Sequence, residues 1–528
     1  MLMTHKKPSL IWGDMLSLQG GYDLVHQFKN NGYNIVLDVE SGSIHQVDEM
    51  AYDAIDCLNR EICLMKIPKD ESSEPPYLNI EGRGNLSGKK EETLKILEEN
   101  LRDKYSKNQL IEVAKEIDQL VQAGQLFSPD IRDFFNFSDG DDGFRVLGDS
   151  QDFLDSIKKG VENHKPVVKA LCLHIAHDCN LACKYCFAHE GEYHGSRELM
   201  STKVGKKALD FLIANSGNRR NLEVDFFGGE PLMNWQVVKD IVAYGRELEK
   251  LYSKNFRFTL TTNGVLLEEE VMDFANKEME NVVLSLDGRR EINDKMRPTR
   301  NGRGSYDVVV PKFQEFVRKR GDKEYFIRGT FTRKNLDFVE DIKHVAKLGF
   351  NKISMEPVVA QEDHEDALGE EDLSQVFNQY DQLAKEMAKI KGTEDEFTFF
   401  HFLLDLEGGP CVAKRVSGCG AGTEYMAVTP TGDLYPCHQF VGQEKFLLGD
   451  VEHGIVKPEI PARFNQCNVY SKKECKKCFA KYYCSGGCMA NSYDFHKDIN
   501  KVYEIGCEME RKRVECAIML KVAELIKV

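Results

Sequence analysis

Apolar and polar positions alternate with different periods in three successive stretches of the chain. In the first, Tyr33–Val39 and Ser43–Val47 follow the two-residue period of half-buried strands, and Glu40-Ser41-Gly42 supplies the turn of a hairpin. Asp48 then caps a helix with Met50, Ala51, Ile55 and Leu58 on one face. Residues 69–92 are polar and rich in turn formers, which predicts a loop or insertion. Ser106 and Gln109 form a capping box for a second helix, with Leu110, Val113, Ala114, Ile117 and Leu120 on its apolar face and Gly124 at its end. A hairpin followed by helices predicts a small winged-helix-like domain over residues 22–130. It follows a tail of residues 1–21 and precedes a linker, residues 131–165, that contains the acidic run at 138–143.

In the second stretch, residues 166–400, strands and amphipathic helices take turns. The strands are Ala170–Ala176, Leu222–Phe227, Phe256–Thr262, Val282–Ser285, Phe326–Phe331 and Lys352–Met355. Helices such as Lys203–Ile213, Val237–Leu251, Glu268–Met279, Ser305–Arg318 and Phe338–Lys347 separate them. Six β–α units predict an α/β fold, a partial (β/α)6 TIM-type barrel whose chemistry collects at the carboxyl ends of the strands. The third stretch, residues 401–528, is dense in cysteine, glycine and turns; so little apolar periodicity predicts a domain held by metal rather than by a large core.

Composition narrows the function. The 528 residues are 41% hydrophobic and 30% charged, which is ordinary for a globular protein, and the net charge of −16 argues against nucleic acid as a partner. No run of about 18 apolar residues predicts a membrane helix, and the first residues lack a secretory pattern, so a cytoplasmic protein is expected. Sixteen cysteines in such a chain read as metal ligands or reactive thiols rather than disulfides. Cys57, Cys63, Cys172 and Cys516 lie outside any motif and read as small buried apolar residues.

The first strand of the second stretch runs into His177-Asp178-Cys179-Asn180-Leu181-Ala182-Cys183-Lys184-Tyr185-Cys186. Three thiolates on one short loop, Cys179, Cys183 and Cys186, suit three irons of a [4Fe–4S] cluster and leave the fourth iron open, whereas a zinc site would be incomplete. With Tyr185 before the last cysteine, the loop resembles that of the radical S-adenosylmethionine superfamily. Further matches fall at successive strand ends: Gly228-Gly229-Glu230, Asn263, Ser285 with Asp287, and Arg297. The resemblance implies that the open iron chelates S-adenosylmethionine, that Tyr185 belongs to the cofactor site, and that Glu230 meets the ammonium while Gly228 and Gly229 let backbone approach it. It also implies that Asn263, Ser285 and Asp287 line the site, that Arg297 meets the carboxylate, and that one-electron reduction releases a 5′-deoxyadenosyl radical.

Cys419, Cys437, Cys475, Cys478, Cys484, Cys488 and Cys507 follow the spacing of the SPASM extension, which binds two auxiliary [4Fe–4S] clusters. By that resemblance Cys475, Cys478, Cys484 and Cys507 hold one cluster. Cys419, Cys437 and Cys488 hold the other, with Cys411 a candidate fourth ligand and Cys467 a bystander. A zinc ribbon fits Cys475 to Cys488 alone but leaves the other three unexplained. His438 stands where sulfatase-maturing relatives carry a proton-accepting aspartate, a weak candidate for catalysis. The first stretch is similar to the precursor-recognition elements that bind a leader peptide as an added strand. Together these features most resemble SCIFF-type (six-cysteine peptide) maturases. The implied activity is formation of cysteine thioether cross-links in a small cysteine-rich precursor peptide, with flavodoxin or ferredoxin as reductant. Carbon–carbon cross-linking, epimerisation, sulfatase maturation and a non-catalytic iron–sulfur scaffold are the alternatives.

Overall fold

The computed structural model describes residues 24–65, 90–128, 167–193, 195–406 and 416–526. The expected tail and the whole of the expected linker lie outside these residues, as does Cys411. The chain divides into two compact units.

The first unit begins with three antiparallel strands in the order β1 (Val25–Asn30), β2 (Tyr33–Asp38) and β3 (Ile44–Val47). Asn31 and Gly32, both at positive φ (49° and 90°), make the tight turn between β1 and β2. The helices are α1 (Glu49–Met65), α2 (Lys90–Leu101) and α3 (Lys107–Gln122). Gln109 accepts the Ser106 N–H at 3.0 Å, which anchors the start of α3 as its capping box predicts. Val36, Ile55, Leu58, Leu97, Leu110, Val113 and Ile117 close one core between sheet and helices. Asp38, fully buried, ties the sheet to the end of the helical part by accepting the N–H of Ser128 at 2.9 Å. Strand β1 and helix α2 were not expected from the sequence.

In the second unit every expected strand is present: β4 (Ala170–Ala176), β5 (Asn221–Gly228), β6 (Asn255–Thr262), β7 (Met279–Ser285), β8 (Glu324–Phe331) and β9 (Lys352–Pro357). They pair in parallel in chain order, and the short β10 (Thr398–Phe399) follows β9. Helices fill the crossovers: α4 (Thr202–Asn215), α5 (Trp235–Tyr252), α6 (Glu269–Glu278), α7 (Arg290–Met296), α8 (Tyr306–Arg320), α9 (Phe338–Lys347) and α10 (Leu373–Ile390). This is an α/β fold with a mostly parallel sheet. Along β8, Tyr325, Ile327, Gly329 and Phe331 are buried, whereas Glu324, Phe326, Arg328 and Thr330 face a more open side. Such alternation is foreign to a sheet covered on both faces.

The cysteine-dense stretch departs from expectation. Its strands β11 (Tyr425–Val428), β12 (Asp433–Tyr435), β13 (Gly449–Asp450) and β14 (Gly454–Ile455) continue the same sheet, with β11 parallel to β4. It also shares an apolar core with the first strand and the cysteine loop, through Cys172, Tyr193, Ala427, Phe440, Phe446, Phe464 and Tyr493. Burial therefore holds this region together in addition to any metal. The last helices are α11 (Glu459–Gln466), α12 (Lys473–Lys476), α13 (Lys481–Cys484), α14 (Met489–His496) and α15 (Glu504–Ile526). Among the described residues no helix is long and apolar enough to cross a membrane.

Candidate metal and cofactor centre

The loop bearing Cys179, Cys183 and Cys186 leaves the carboxyl end of β4 and is gripped on both flanks. On one side Gly229 N–H donates to Ala176 O at 2.7 Å, and Glu230 N–H to Asp178 O at 2.9 Å. A Cβ at Gly228 (φ +118°) would stand 2.4 Å from Ala176 O, and one at Gly229 would stand 2.1 Å from Asp178 O. The glycines thus admit the protein's own loop, a role in addition to the cofactor approach expected of them. On the other side Ala182 N–H donates to Pro298 O (2.8 Å) and Lys184 N–H to Met296 O (3.0 Å). The residues around Arg297 therefore form the second wall.

Tyr185, Asp287 and Arg297 come together. The Tyr185 hydroxyl donates to Asp287 (2.7 Å), Thr330 N–H donates to the same carboxylate (2.9 Å), and Arg297 lies over the Tyr185 ring at 5.5 Å. Arg297 Nε is 2.9 Å from Asp287 Oδ1. This is a close ion pair, yet the N–H is not aimed at the oxygen and has no hydrogen-bond acceptor. Burial works against the Arg297 charge, but Asp287 beside it keeps its pKa raised. Asp287 is fully buried, so it serves the loop and the arginine before it serves any ligand.

Glu230, 1% exposed, accepts from Thr262 Oγ1 (2.7 Å), Asn263 N–H (2.8 Å) and Leu232 N–H (3.0 Å). Burial raises its carboxyl to about 7, against these three hydrogen bonds. Asn263 Nδ2 reaches Asn180 Oδ1 at 2.7 Å and lies 3.6 Å from Cys179 Sγ, so the third strand end touches the cysteine loop. Asn180 Nδ2 is buried without an acceptor, a second spare donor at the site besides Arg297 Nε. Ser285, half-buried at the end of β7, is in register with Arg328. Burial pushes the Cys179 and Cys183 thiols up to about 12.

His174, His177, Tyr193 and Asn180 were not singled out in the sequence. His174 Nδ1 is 3.0 Å from His177 Nε2, and Tyr193 stacks on His177 (4.7 Å between ring centres) while donating to Gly228 O (3.3 Å). Burial holds His174 well below the usual range and lowers His177 to about 4, so both rings are neutral wedges beside the loop. Their only signal is the pair of histidines three apart at the end of a wholly apolar strand.

In the cysteine-dense region Cys419, Cys437 and Cys488 come within electrostatic reach of one another: burial raises Cys437, and Cys488 and Cys419 add to it. Cys467 is buried with its thiol on Ile499 O at 3.2 Å, turned away as a bystander would be. Cys475 and Cys507 share an apolar cluster with Val469 and Val502, Cys484 ends α13, and Cys478 lies in a short segment, Lys477–Ala480, that groups with the first unit. Cys57, Cys172 and Cys516 are buried, as expected of bystanders. His438 sits between Phe227 and Phe187 (5.2 and 5.6 Å between ring centres), and burial lowers it to about 4, a neutral ring and a weak base. Among the described residues no three His, Cys, Asp or Glu side chains gather tightly enough to hold a single metal ion. A four-iron cluster makes a different demand, one thiolate on each iron.

Residues 168–311 match the family described as a 4Fe-4S single cluster domain, a stretch that runs from β4 into α8 and includes the ends of β4, β5, β6 and β7. An uncharacterized protein of Methanocaldococcus jannaschii is 31% identical over 191 residues, 36% of this chain and 62% of that protein, less than two thirds of its length. A mycofactocin maturase of Mycolicibacterium smegmatis is 28% identical over 345 residues, 61% of this chain and 79% of that protein. The solved structure of native anSMEcpe with bound AdoMet and Cp18Cys peptide aligns with a TM-score of 0.56 at 22% identity, covering 68% of this chain and 99% of that one. In sequence and in fold the chain is similar to maturases of the radical SAM/SPASM type. The residues present fit [4Fe–4S] and S-adenosylmethionine chemistry: three thiols on one clamped loop, with two buried N–H donors that have no acceptor.

Proposed function

We propose that this protein installs cysteine thioether cross-links in a small ribosomally made precursor peptide, as the SCIFF-type enzymes it resembles do. In this reading Cys179, Cys183 and Cys186 hold the cluster that binds S-adenosylmethionine, with Tyr185, Gly228, Gly229, Glu230, Asn263, Ser285, Asp287 and Arg297 around the cofactor. Two auxiliary clusters, for a total of three, take Cys475, Cys478, Cys484 and Cys507, and Cys419, Cys437 and Cys488 with Cys411 or a substrate thiolate. Bound together, the first cluster and S-adenosylmethionine supply a radical able to take hydrogen from carbon.

The chain's own part is placement. The glycine segment and residues 296–299 hold the cysteine loop, Asp287 holds Tyr185 and Arg297 against it, and Asn180 and Arg297 keep donors free for the ligand's polar end. The observation that carries the thioether reading is the group Cys419, Cys437 and Cys488. Three thiols lie within electrostatic reach of one another there, and Cys467 turns its own thiol to a carbonyl instead of joining them. An exchangeable fourth position is where a substrate cysteine can be deprotonated and positioned. His438, a weak base, lends no support to sulfatase-type oxidation. The N-terminal unit, winged-helix-like in this reading, offers sheet edges at β1 and β3 to a leader peptide. Cytoplasmic flavodoxin or ferredoxin supplies the electron.

The test uses reconstituted full-length protein, S-adenosylmethionine, a reductant and a synthetic six-cysteine precursor. The expected product has lost two hydrogens per bridge and as many alkylatable thiols as it has bridges. Residues 128–528 alone should cleave S-adenosylmethionine but leave the full-length precursor unmodified. A precursor with alanine at every core cysteine that still loses hydrogen would overturn the thioether reading in favour of carbon–carbon coupling.

A further inference from the structure

Three cations, Lys472, Lys481 and Arg513, are buried among the segments that carry Cys475, Cys484 and Cys507. Lys472 is 1% exposed, and its Nζ makes one hydrogen bond, to Gly486 O at 2.8 Å. Among the described residues no carboxylate pairs with it. Gly486 lies in the turn between Cys484 and Cys488, and Lys472 stands between Val469 and Cys475, which pack in one cluster with Cys507. The ammonium is therefore walled in by chain that carries three of the cysteines.

Arg513, on α15, is 8% exposed. Its Nη1 donates to His401 Nδ1 at 2.9 Å, and Glu510 is 3.5 Å away, but its Nε has no acceptor. Burial works against its charge, while Tyr380, Glu510, Glu356 and Cys484 sustain it.

A buried ammonium that faces a single carbonyl carries a large desolvation cost unless an anion stands near. Neutral thiols do not supply one. A cluster ligated by four thiolates does, because its net charge is negative in both oxidation states. We propose that Lys472, with Arg513 beside Cys484, is the counter-cation of the iron–sulfur cluster assigned to Cys475, Cys478, Cys484 and Cys507, and that it sets that cluster's reduction potential. This rests on the ligand reading given above. When the reductant passes one electron to the cluster, the cluster becomes more negative, so a fixed positive charge stabilises the reduced form more than the oxidised one. The potential is raised. Lys472 is thus a positioning residue for charge, touching neither substrate nor the first cluster.

The experiment uses full-length reconstituted protein in which Cys179, Cys183 and Cys186 are alanine, so that only the auxiliary clusters give signals. That parent should carry about eight irons; fewer would defeat the ligand reading itself, separately from this inference. The signal lost in Cys484→Ala marks the cluster concerned, and its midpoint is read by paramagnetic resonance during a redox titration. Lys472→Met should make the midpoint more negative, with the reduced-to-oxidised ratio at a set potential falling about tenfold, about 59 mV for a one-electron couple. Lys472→Arg should restore it, and Arg513→Gln should shift it in the same direction as Lys472→Met. An unmoved midpoint in Lys472→Met with full iron overturns the inference. Loss of this cluster from both Lys472→Met and Lys472→Arg also overturns it, since Lys472 would then only anchor the Gly486 turn. Loss from Lys472→Met alone supports a requirement for charge.

Discussion

Asp287 accepts from Tyr185 and from a backbone N–H while standing 2.9 Å from a buried guanidinium, so its removal strands a positive charge. Breaking a buried pair from one side costs about 3–5 kcal/mol, whereas replacing both partners by neutral groups costs much less. Asp287→Ala should lower the thermal midpoint by several degrees, and Asp287→Asn combined with Arg297→Met should recover part of that loss. A double-mutant cycle on the unfolding curves checks this; a loss in the double variant equal to the sum of the two single losses would mean that the pair is not coupled. Asp225, on β5, behaves differently. Burial raises its carboxyl to about 6, Glu223 adds to that and Thr259 opposes it. An unfolded aspartate titrates near 4, so the folded state holds the proton more tightly between about 4 and 6. Stability from this group is full below that window, falls as pH rises through it, and stays low above. Asp225→Asn should therefore raise the thermal midpoint at pH 7.5 and leave it nearly unchanged at pH 4, as melts across pH would show.

At the scale of elements, the cysteine loop depends on two neighbours that approach it too closely for side chains. Gly229→Ala would put a methyl 2.1 Å from Asp178 O. The loop root must shift, and with it Cys179. The expected result is loss of the first cluster, read as iron content falling by about four per chain while the fold persists by circular dichroism. Unchanged iron would show that the loop tolerates the shift. Most of these elements were legible in the sequence because the strand-end motifs sit on strongly periodic strands. Strand β1 was missed although Asn31-Gly32, a strong turn signal, stands between it and β2; only the second of the two hairpins was recognised. Helix α2 was missed because, of its described side chains, Leu97 alone is fully buried, so polar residues hid its period. At the site, sequence named Tyr185, Asp287 and Arg297 but not their mutual contacts. Motif spacing says which residues recur together, whereas Asp287 meets Tyr185 only after more than a hundred residues of chain have folded. Lys472 gave no signal at all, since burial of a lone lysine is a property of packing.

For the whole molecule, the count of irons separates the complete assignment from a partial one. Wild type should hold about twelve per chain, and Cys179, Cys183 and Cys186 changed together to alanine should leave about eight with no release of 5′-deoxyadenosine. Twelve irons retained in that variant would mean that the loop holds none. The expectation that metal alone holds the cysteine-dense region together does not survive the structure, because that region shares a core with β4 and the loop. Its β11 also completes the sheet beside β4, across some 250 residues of chain. That pairing imposes an order on biosynthesis. As the polypeptide emerges from the ribosome, β4 finds β5 early, but its other edge has no partner until residue 428 is out. For most of translation the nascent barrel carries a bare strand edge, the kind that recruits neighbouring chains. The cysteine loop follows that same strand. The slow step in making this protein in quantity should therefore be the arrival of its last quarter, which brings β11.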